Sequence, residues 1–147
     1  MLPRDSVEYV QKEHLEILRI ADRLAEALGL AGKPDFRSRQ DGLAEVRALQ
    51  QGLVGISQHC NAENGLLESD FHRYLEAKNY DQLQMQHRNI ARLIAGLLRE
   101  LPYTTADSVA GLCGDGAELL EQIREHVALE EDMLWRVEAR REELLVQ

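Results

Sequence analysis

Two pairs of residues in this chain share a spacing that suits metal binding. HCNAE places His59 four residues before Glu63, and HVALE places His126 four residues before Glu130. In an α-helix this spacing sets both side chains on one face, so each pair can hold one ion.

A lone histidine precedes each pair. His14 lies 45 residues before His59, and His87 lies 39 residues before His126. Each lone histidine stands about 14 residues before the end of its predicted helix, and the first residue of each pair stands about 20 residues into the next helix. At a rise of ~1.5 Å per residue, antiparallel helices bring all six residues to roughly one level.

The elements that must position these residues are four helices. Apolar residues recur at alternating steps of three and four, which is typical of helices with one buried face. The predicted helices run from about Ser6 to Leu28, from about Arg37 to at least Glu68, from about Gln82 to Leu101, and onward from a cap at Thr105, Asp107 or Ser108. Residues 69–81 are predicted to form a last turn or two and a connection. Short links favour an all-α, up-down-up-down antiparallel four-helix bundle, with residues 1–147 as one domain.

The candidate ligands occupy places where these stripes call for apolar residues. The stripes that face the interior carry His14, Glu63, His87, His126 and Glu130, with His59 at the edge of its stripe. A buried carboxylate without a partner either protonates or finds a cation. Four imidazoles and two carboxylates suit first-row transition metals, and carboxylates on facing helices can bridge two ions. Metal-free ion pairs of histidine with glutamate are the alternative.

Composition and charge exclude several classes of partner. The 147 residues are 44% hydrophobic and 29% charged, which is typical of a globular domain with a core. A formal charge of -9, without a Lys and Arg cluster, argues against a nucleic-acid partner. The first residues lack the apolar stretch of a secretory signal, and no apolar run is long enough to span a membrane. We therefore expect a cytoplasmic protein without a membrane partner, in which Cys60 and Cys113 stay reduced.

The ordered pattern H, HxxxE, H, HxxxE resembles the hemerythrin-like family, also called the HHE cation-binding domain. The similar stretches cover nearly the whole chain and are EHLEIL around His14, HCNAENGLLE around His59, QHRNIARLIAGLL around His87 and REHVALEEDMLW around His126. The resemblance implies two iron ions with an oxo or hydroxo bridge. Its implied ligands are His14 and His59 on one iron, His87 and His126 on the other, and Glu63 and Glu130 bridging both. Manganese or zinc would accept similar donors.

One departure from the family pattern bears on function. Oxygen-carrying hemerythrins have HxxxH on the third helix, whereas Ala91 stands four residues after His87 here. The first hypothesis is therefore a di-iron protein that binds or reacts with dioxygen, nitric oxide or peroxide, for sensing, storage or detoxification. The alternatives are an iron carrier or repair protein, and a metal-free helical interaction module. The pattern leaves open whether the protein is an enzyme.

Some residues keep two interpretations. His72 and Glu131 are predicted to be solvated or to contact a ligand residue without binding metal themselves. An apolar strip of Leu15, Leu18 and Ala25 fits either a homodimer interface or the edge of a wide buried face. A monomer and a homodimer both remain open.

Overall fold

Five α-helices make up the described part of the chain. The structure, a computed structural model, describes residues 3–66 and 77–146. The helices are α1 (Pro3–Ala31), α2 (Phe36–Ala48), α3 (Gln50–Leu66), α4 (Ala77–Glu100) and α5 (Val109–Val146), with 3-10 turns at Leu101–Tyr103 and Ala106–Ser108. These two stretches contain no strand, and the all-α prediction is confirmed.

The helices pack as the predicted antiparallel four-helix bundle. α2 and α3 follow one another and together form the second long element, while α1, α4 and α5 form the other three. α1 packs against α2, α3 and α5, and α4 packs against α3 and α5. Consecutive elements therefore alternate in direction around one core.

The second element is two helices, whereas the apolar pattern predicts one. At Leu49 the backbone N–H bonds to the Val46 carbonyl oxygen at 3.0 Å, which tightens the chain for one turn before α3 begins. The Leu49 side chain stays buried through this break. Because the break keeps the buried face continuous, hydrophobic periodicity alone does not reveal it.

Other helix ends also differ from the prediction. α1 extends three residues beyond each predicted end, and Gly29 lies inside it because its backbone keeps a helical conformation. α4 begins at Ala77, so residues 77–81 are helical where a connection was predicted. The Gln84 side chain donates to the Tyr80 hydroxyl at 2.9 Å across this first part of α4. The predicted continuation of α3 to Glu68 and the connection from 69 to 76 lie outside the described residues.

The predicted apolar stripes face the interior. Their buried members form one cluster that includes Ala21, Leu24, Val46, Leu53, Ile94, Leu97, Leu112 and Leu119. Leu18 and Ala25 pack against this cluster, whereas Leu15 is 72% exposed. The three residues therefore do not form one exposed strip.

Two arginines of α2 close the end of the bundle away from the candidate ligands. The Arg47 guanidinium donates to the Thr104 carbonyl oxygen at 2.7 Å, and Arg39 donates to the Ala106 carbonyl oxygen at 3.1 Å. The connection between α4 and α5 is thereby held against α2. This arrangement fixes the register of the last two helices against the first half of the chain.

A glycine permits the close contact between α1 and α2. A Cβ atom at Gly42 would lie 2.7 Å from the Ala27 carbonyl oxygen and 2.8 Å from the Ala31 Cα. Both neighbours are backbone atoms, so they cannot move aside as a flexible side chain would. Gly55 in α3 has no heavy atom within 4 Å of such a Cβ.

We expect Gly42→Ala to destabilise the protein by about 1–3 kcal/mol, because the added methyl group forces α1 and α2 apart. Gly55→Ala is the matched control. It should be neutral or stabilise by about 0.5–1 kcal/mol, because alanine favours helix and meets no obstacle there. Urea unfolding of both variants measures the difference, and equal midpoints would contradict the close packing at Gly42.

Candidate metal centre

The six predicted ligand residues lie together in the interior of the bundle. Their positions are His14 on α1, His59 and Glu63 on α3, His87 on α4, and His126 and Glu130 on α5. Each side chain is between 1% and 4% exposed, and His59 is buried like the others despite its place at the edge of the stripe. That these residues bind metal stays a prediction. His72 lies outside the described residues.

Each pair with four-residue spacing makes a short contact within its own helix. In α3 the His59 Nε2 lies 2.6 Å from Glu63 Oε1, and in α5 the His126 Nε2 lies 3.2 Å from Glu130 Oε2. The helical geometry thus sets an imidazole and a carboxylate side by side on one face, as the spacing predicts.

Each carboxylate also meets a histidine from a neighbouring helix. Glu130 Oε1 lies 2.8 Å from His14 Nε2, and Glu63 Oε1 lies 3.1 Å from His87 Nε2. Both carboxylates therefore lie between imidazoles of two helices. This is the placement that a carboxylate needs to bridge two ions.

The four imidazoles form two pairs. His87 and His126 have their Nε2 atoms 3.0 Å apart and their ring centroids 4.5 Å apart. The centroids of His14 and His59 are 5.4 Å apart, and those of His14 and His126 are 6.4 Å apart. The rings are therefore nearest within the two pairs that the family resemblance assigns to separate ions.

The six candidate ligands form a polar layer across the bundle, and apolar side chains cover this layer on both sides. On the side facing the large core, a buried isoleucine lies three residues from each histidine along its helix, at Ile17, Ile56, Ile90 and Ile123. On the other side, about one turn away, the buried residues are Val10, Leu83, Met133 and Leu134. The polar layer is thus enclosed between apolar groups, which strengthens every electrostatic interaction within it.

Several polar atoms in the layer are left without a hydrogen bond. Within the described part of the chain, His14 Nε2, both nitrogens of His59 and both carboxylate oxygens of Glu130 are buried and lack a hydrogen-bond partner. Some of them lie close to an oppositely charged group, as His14 Nε2 does at 2.8 Å from Glu130 Oε1, but without the alignment that a hydrogen bond requires. Each unsatisfied buried group costs about 1–3 kcal/mol, and more when it is charged.

The donor set fits a metal cation. Ligand atoms of His14, Glu63, His126 and Glu130 all lie within 4.8 Å of one another. Imidazole nitrogens with carboxylate oxygens suit iron, manganese or zinc, whereas calcium and magnesium prefer oxygen ligands alone. A cation at this level would give the unsatisfied atoms the partner that the protein itself does not supply.

The cluster holds opposite charges when it lacks a cation. Burial lowers the pKa of His14 and His87, but the carboxylates of Glu130 and Glu63 outweigh burial and raise it to about 10 for His14 and about 9 for His87. Burial raises the pKa of both glutamates, but the surrounding histidines hold it below the usual range. At neutral pH the two carboxylates are therefore ionised and face imidazolium groups.

Two further residues form hydrogen bonds with candidate ligand histidines from outside the cluster. Gln86 Oε1 lies 2.7 Å from His126 Nδ1, and Glu131 Oε1 lies 2.8 Å from His14 Nδ1. Sequence reasoning missed Gln86 and left Glu131 as solvated or touching a ligand residue. Each directly precedes or follows a candidate ligand in the chain, which is the one signal that could have singled it out.

A family comparison decides what this arrangement belongs to. The model of the hemerythrin HHE cation-binding domain matches residues 5–136. The chain belongs to this family. The match includes all six candidate ligands of this HHE domain, and the predicted resemblance is confirmed. Separate comparisons with curated proteins and with solved structures gave no significant match. Across the described residues, none of the helices has the length and apolar character needed to cross a bilayer.

Because protonated His14 and His87 stabilise the metal-free HHE domain, its stability should depend on pH. Their pKa values are raised in the folded state, so the stabilisation is complete below about pH 6.5 and is lost as the pH rises towards 9 and 10. We expect thermal unfolding of chelator-treated protein to occur several degrees lower at pH 9.5 than at pH 6.

The metal-loaded protein is the control for this prediction. Metal binding requires neutral imidazoles, so loading should become tighter over the same rise in pH. An unfolding temperature of the metal-free protein that stays constant or rises between pH 6 and pH 9.5 would contradict the predicted charge state.

Proposed function

We propose that this HHE domain holds two iron ions and binds or reacts with a small oxidant, namely dioxygen, nitric oxide or peroxide. The observation that carries the proposal is the placement of Glu63 and Glu130, each buried between imidazoles from two helices. A carboxylate between imidazoles of two helices could offer one oxygen to each of two ions, which supports an ion pair shared by Glu63 and Glu130.

The residues divide into two sets of ligands on this proposal. His14 and His59 would hold one iron, His87 and His126 the other, and both glutamates would be shared. Each iron would then have about four protein donors, which leaves positions for a small molecule. When bound, such an iron pair supplies redox chemistry that no amino-acid side chain offers.

The surroundings of the cluster favour a small apolar or weakly polar reactant. The four buried isoleucines described above separate the cluster from the large core, and Val10, Leu83 and Met133 border the other side. Dioxygen and nitric oxide can enter such surroundings at little cost, whereas an organic substrate would need a cavity.

The buried polar atoms favour metal binding over a metal-free interaction module. A bundle that serves only as a binding surface gains nothing from unsatisfied nitrogens and oxygens in its core, and replacing them with apolar groups would stabilise it. The cluster is therefore explained by a ligand inside the bundle.

The first test is metal content. Protein purified without chelator, or reconstituted anaerobically with ferrous iron, should contain about two irons per chain. His59→Ala with Glu63→Ala should lose at least half of this iron, because two of the six donors are gone. Gln58→Ala, an exposed neighbour on α3, is the matched control and should keep wild-type content.

The outcomes of this test separate the hypotheses. Removal of iron should lower the unfolding temperature, since binding to the folded state stabilises it. In one outcome the wild type takes up no metal on reconstitution and is as stable in chelator as the double variant. That result would leave the metal-free interaction module as the only remaining hypothesis. Iron that exchanges readily with a weak competing chelator would favour the carrier.

The second test concerns the oxidant. Under anaerobic conditions the ferrous protein should react with nitric oxide, peroxide or dioxygen at a ratio near one molecule per iron pair, with a change in its visible spectrum. The Gln58→Ala variant should behave alike. Oxidation no faster than that of the same concentration of free ferrous iron would contradict a role in handling oxidants.

A further inference from the structure

The outer nitrogens of two candidate ligands are held by different kinds of group. His14 Nδ1 lies 2.8 Å from a carboxylate oxygen of Glu131, and His126 Nδ1 lies 2.7 Å from the amide oxygen of Gln86. A carboxylate oxygen and an amide oxygen only accept hydrogen bonds, so in both cases the Nδ1–H donates. In the neutral imidazole, Nε2 is then left with a lone pair.

Once each ring has lost its second proton, as metal binding requires, this lone pair faces the centre in both histidines. His14 Nε2 lies 2.8 Å from Glu130 Oε1, and His126 Nε2 lies 3.2 Å from Glu130 Oε2. The outer hydrogen bonds therefore select the tautomer and the ring orientation that a metal at this level requires.

The two outer partners differ in charge and in exposure to solvent. The Glu131 side chain is 31% exposed and also accepts from Gln11 Nε2 at 3.5 Å, whereas Gln86 is a neutral, half-buried amide. A carboxylate that accepts an imidazole N–H makes the other ring nitrogen more basic than a neutral amide does. His14 should consequently be the stronger electron donor of the two.

Resting on the proposed function, we propose that Glu131 and Gln86 are positioning residues that make the two metal positions inequivalent. The position held by His14 binds a divalent metal more tightly than the position held by His126. The charge of Glu131 also favours the more oxidised state of the iron at the His14 position.

The chain allows the charge of each partner to be changed at nearly constant shape. Glu131→Gln removes the charge but keeps an oxygen that can accept from His14. Gln86→Glu adds a charge opposite His126. Glu121→Gln, on an exposed position of α5, is the matched control for loss of one negative charge from the same helix.

Zinc titration is the first readout, because zinc is a redox-inactive divalent probe of both positions. The wild type should bind in two unequal steps. Glu131→Gln should weaken the tighter step about 10-fold and Glu131→Ala about 10- to 100-fold, while Gln86→Glu should tighten the weaker step. Glu121→Gln should leave both steps unchanged.

The reduction potential of the iron-loaded protein is the second readout. Glu131→Gln should raise it, and Gln86→Glu should lower it. If Glu131 and Gln86 acted only through packing, both variants would bind metal more weakly and their reduction potentials would not move in opposite directions. The signs of the two changes in reduction potential therefore distinguish positioning from packing. If one variant fails to fold, as judged by its circular dichroism, the sign of the other carries the test.

The outcomes separate this inference from the proposed function. A wild type that binds neither zinc nor iron overturns the proposed function. A wild type that binds two metals, but whose steps are equal or whose affinities and potential do not respond to Glu131→Gln and Gln86→Glu, overturns this inference alone.

Discussion

The free energy of taking two carboxylates and four imidazoles out of water is the constraint on which the rest of this bundle depends. An uncompensated buried charge costs several kcal/mol even after relaxation. Glu63 and Glu130 are both 2% exposed or less, so their charges must be met inside the protein. The histidines meet them when metal is absent, and a cation would meet them more completely.

The apolar packing is what makes this constraint tolerable. Most of the large cluster around Leu24, Leu53 and Leu119 lies on one side of the candidate ligands, where apolar burial stabilises the bundle. Arg39 and Arg47 close the end that belongs to this cluster. Most of the apolar packing that stabilises the fold is thus separate from the buried charges of the candidate site, an arrangement in which a rigid scaffold supports a site.

Hydrophobic periodicity and residue spacing predicted the bundle and the candidate ligands, for a physical reason. A histidine or glutamate in an otherwise apolar stripe can be recognised from the sequence alone. Residues four apart in a helix lie on the same face, so each pair is predicted to point the same way. Hence the bundle and the six convergent residues follow from the sequence. The break at Leu49 does not, because it preserves the stripe, and neither does the helical start at Ala77, whose residues show no period. Gln86 was missed because it reaches His126 across 40 residues of chain, and a contact between helices leaves no local pattern.

The six candidate ligand residues come from four different helices and extend from residue 14 to residue 130. During synthesis, α5 leaves the ribosome after α1 to α4, so a nascent chain that ends before α5 offers one of the two carboxylates and three of the four imidazoles. Such a chain would hold a cation less completely than the finished bundle, because two of the six candidate donors are missing. The complete candidate donor set is therefore assembled only after α5 has docked against α1 and α4. Because the candidate ligands are spread over four helices, separation of the helices would release a bound cation, and the rate of its release would report on such opening.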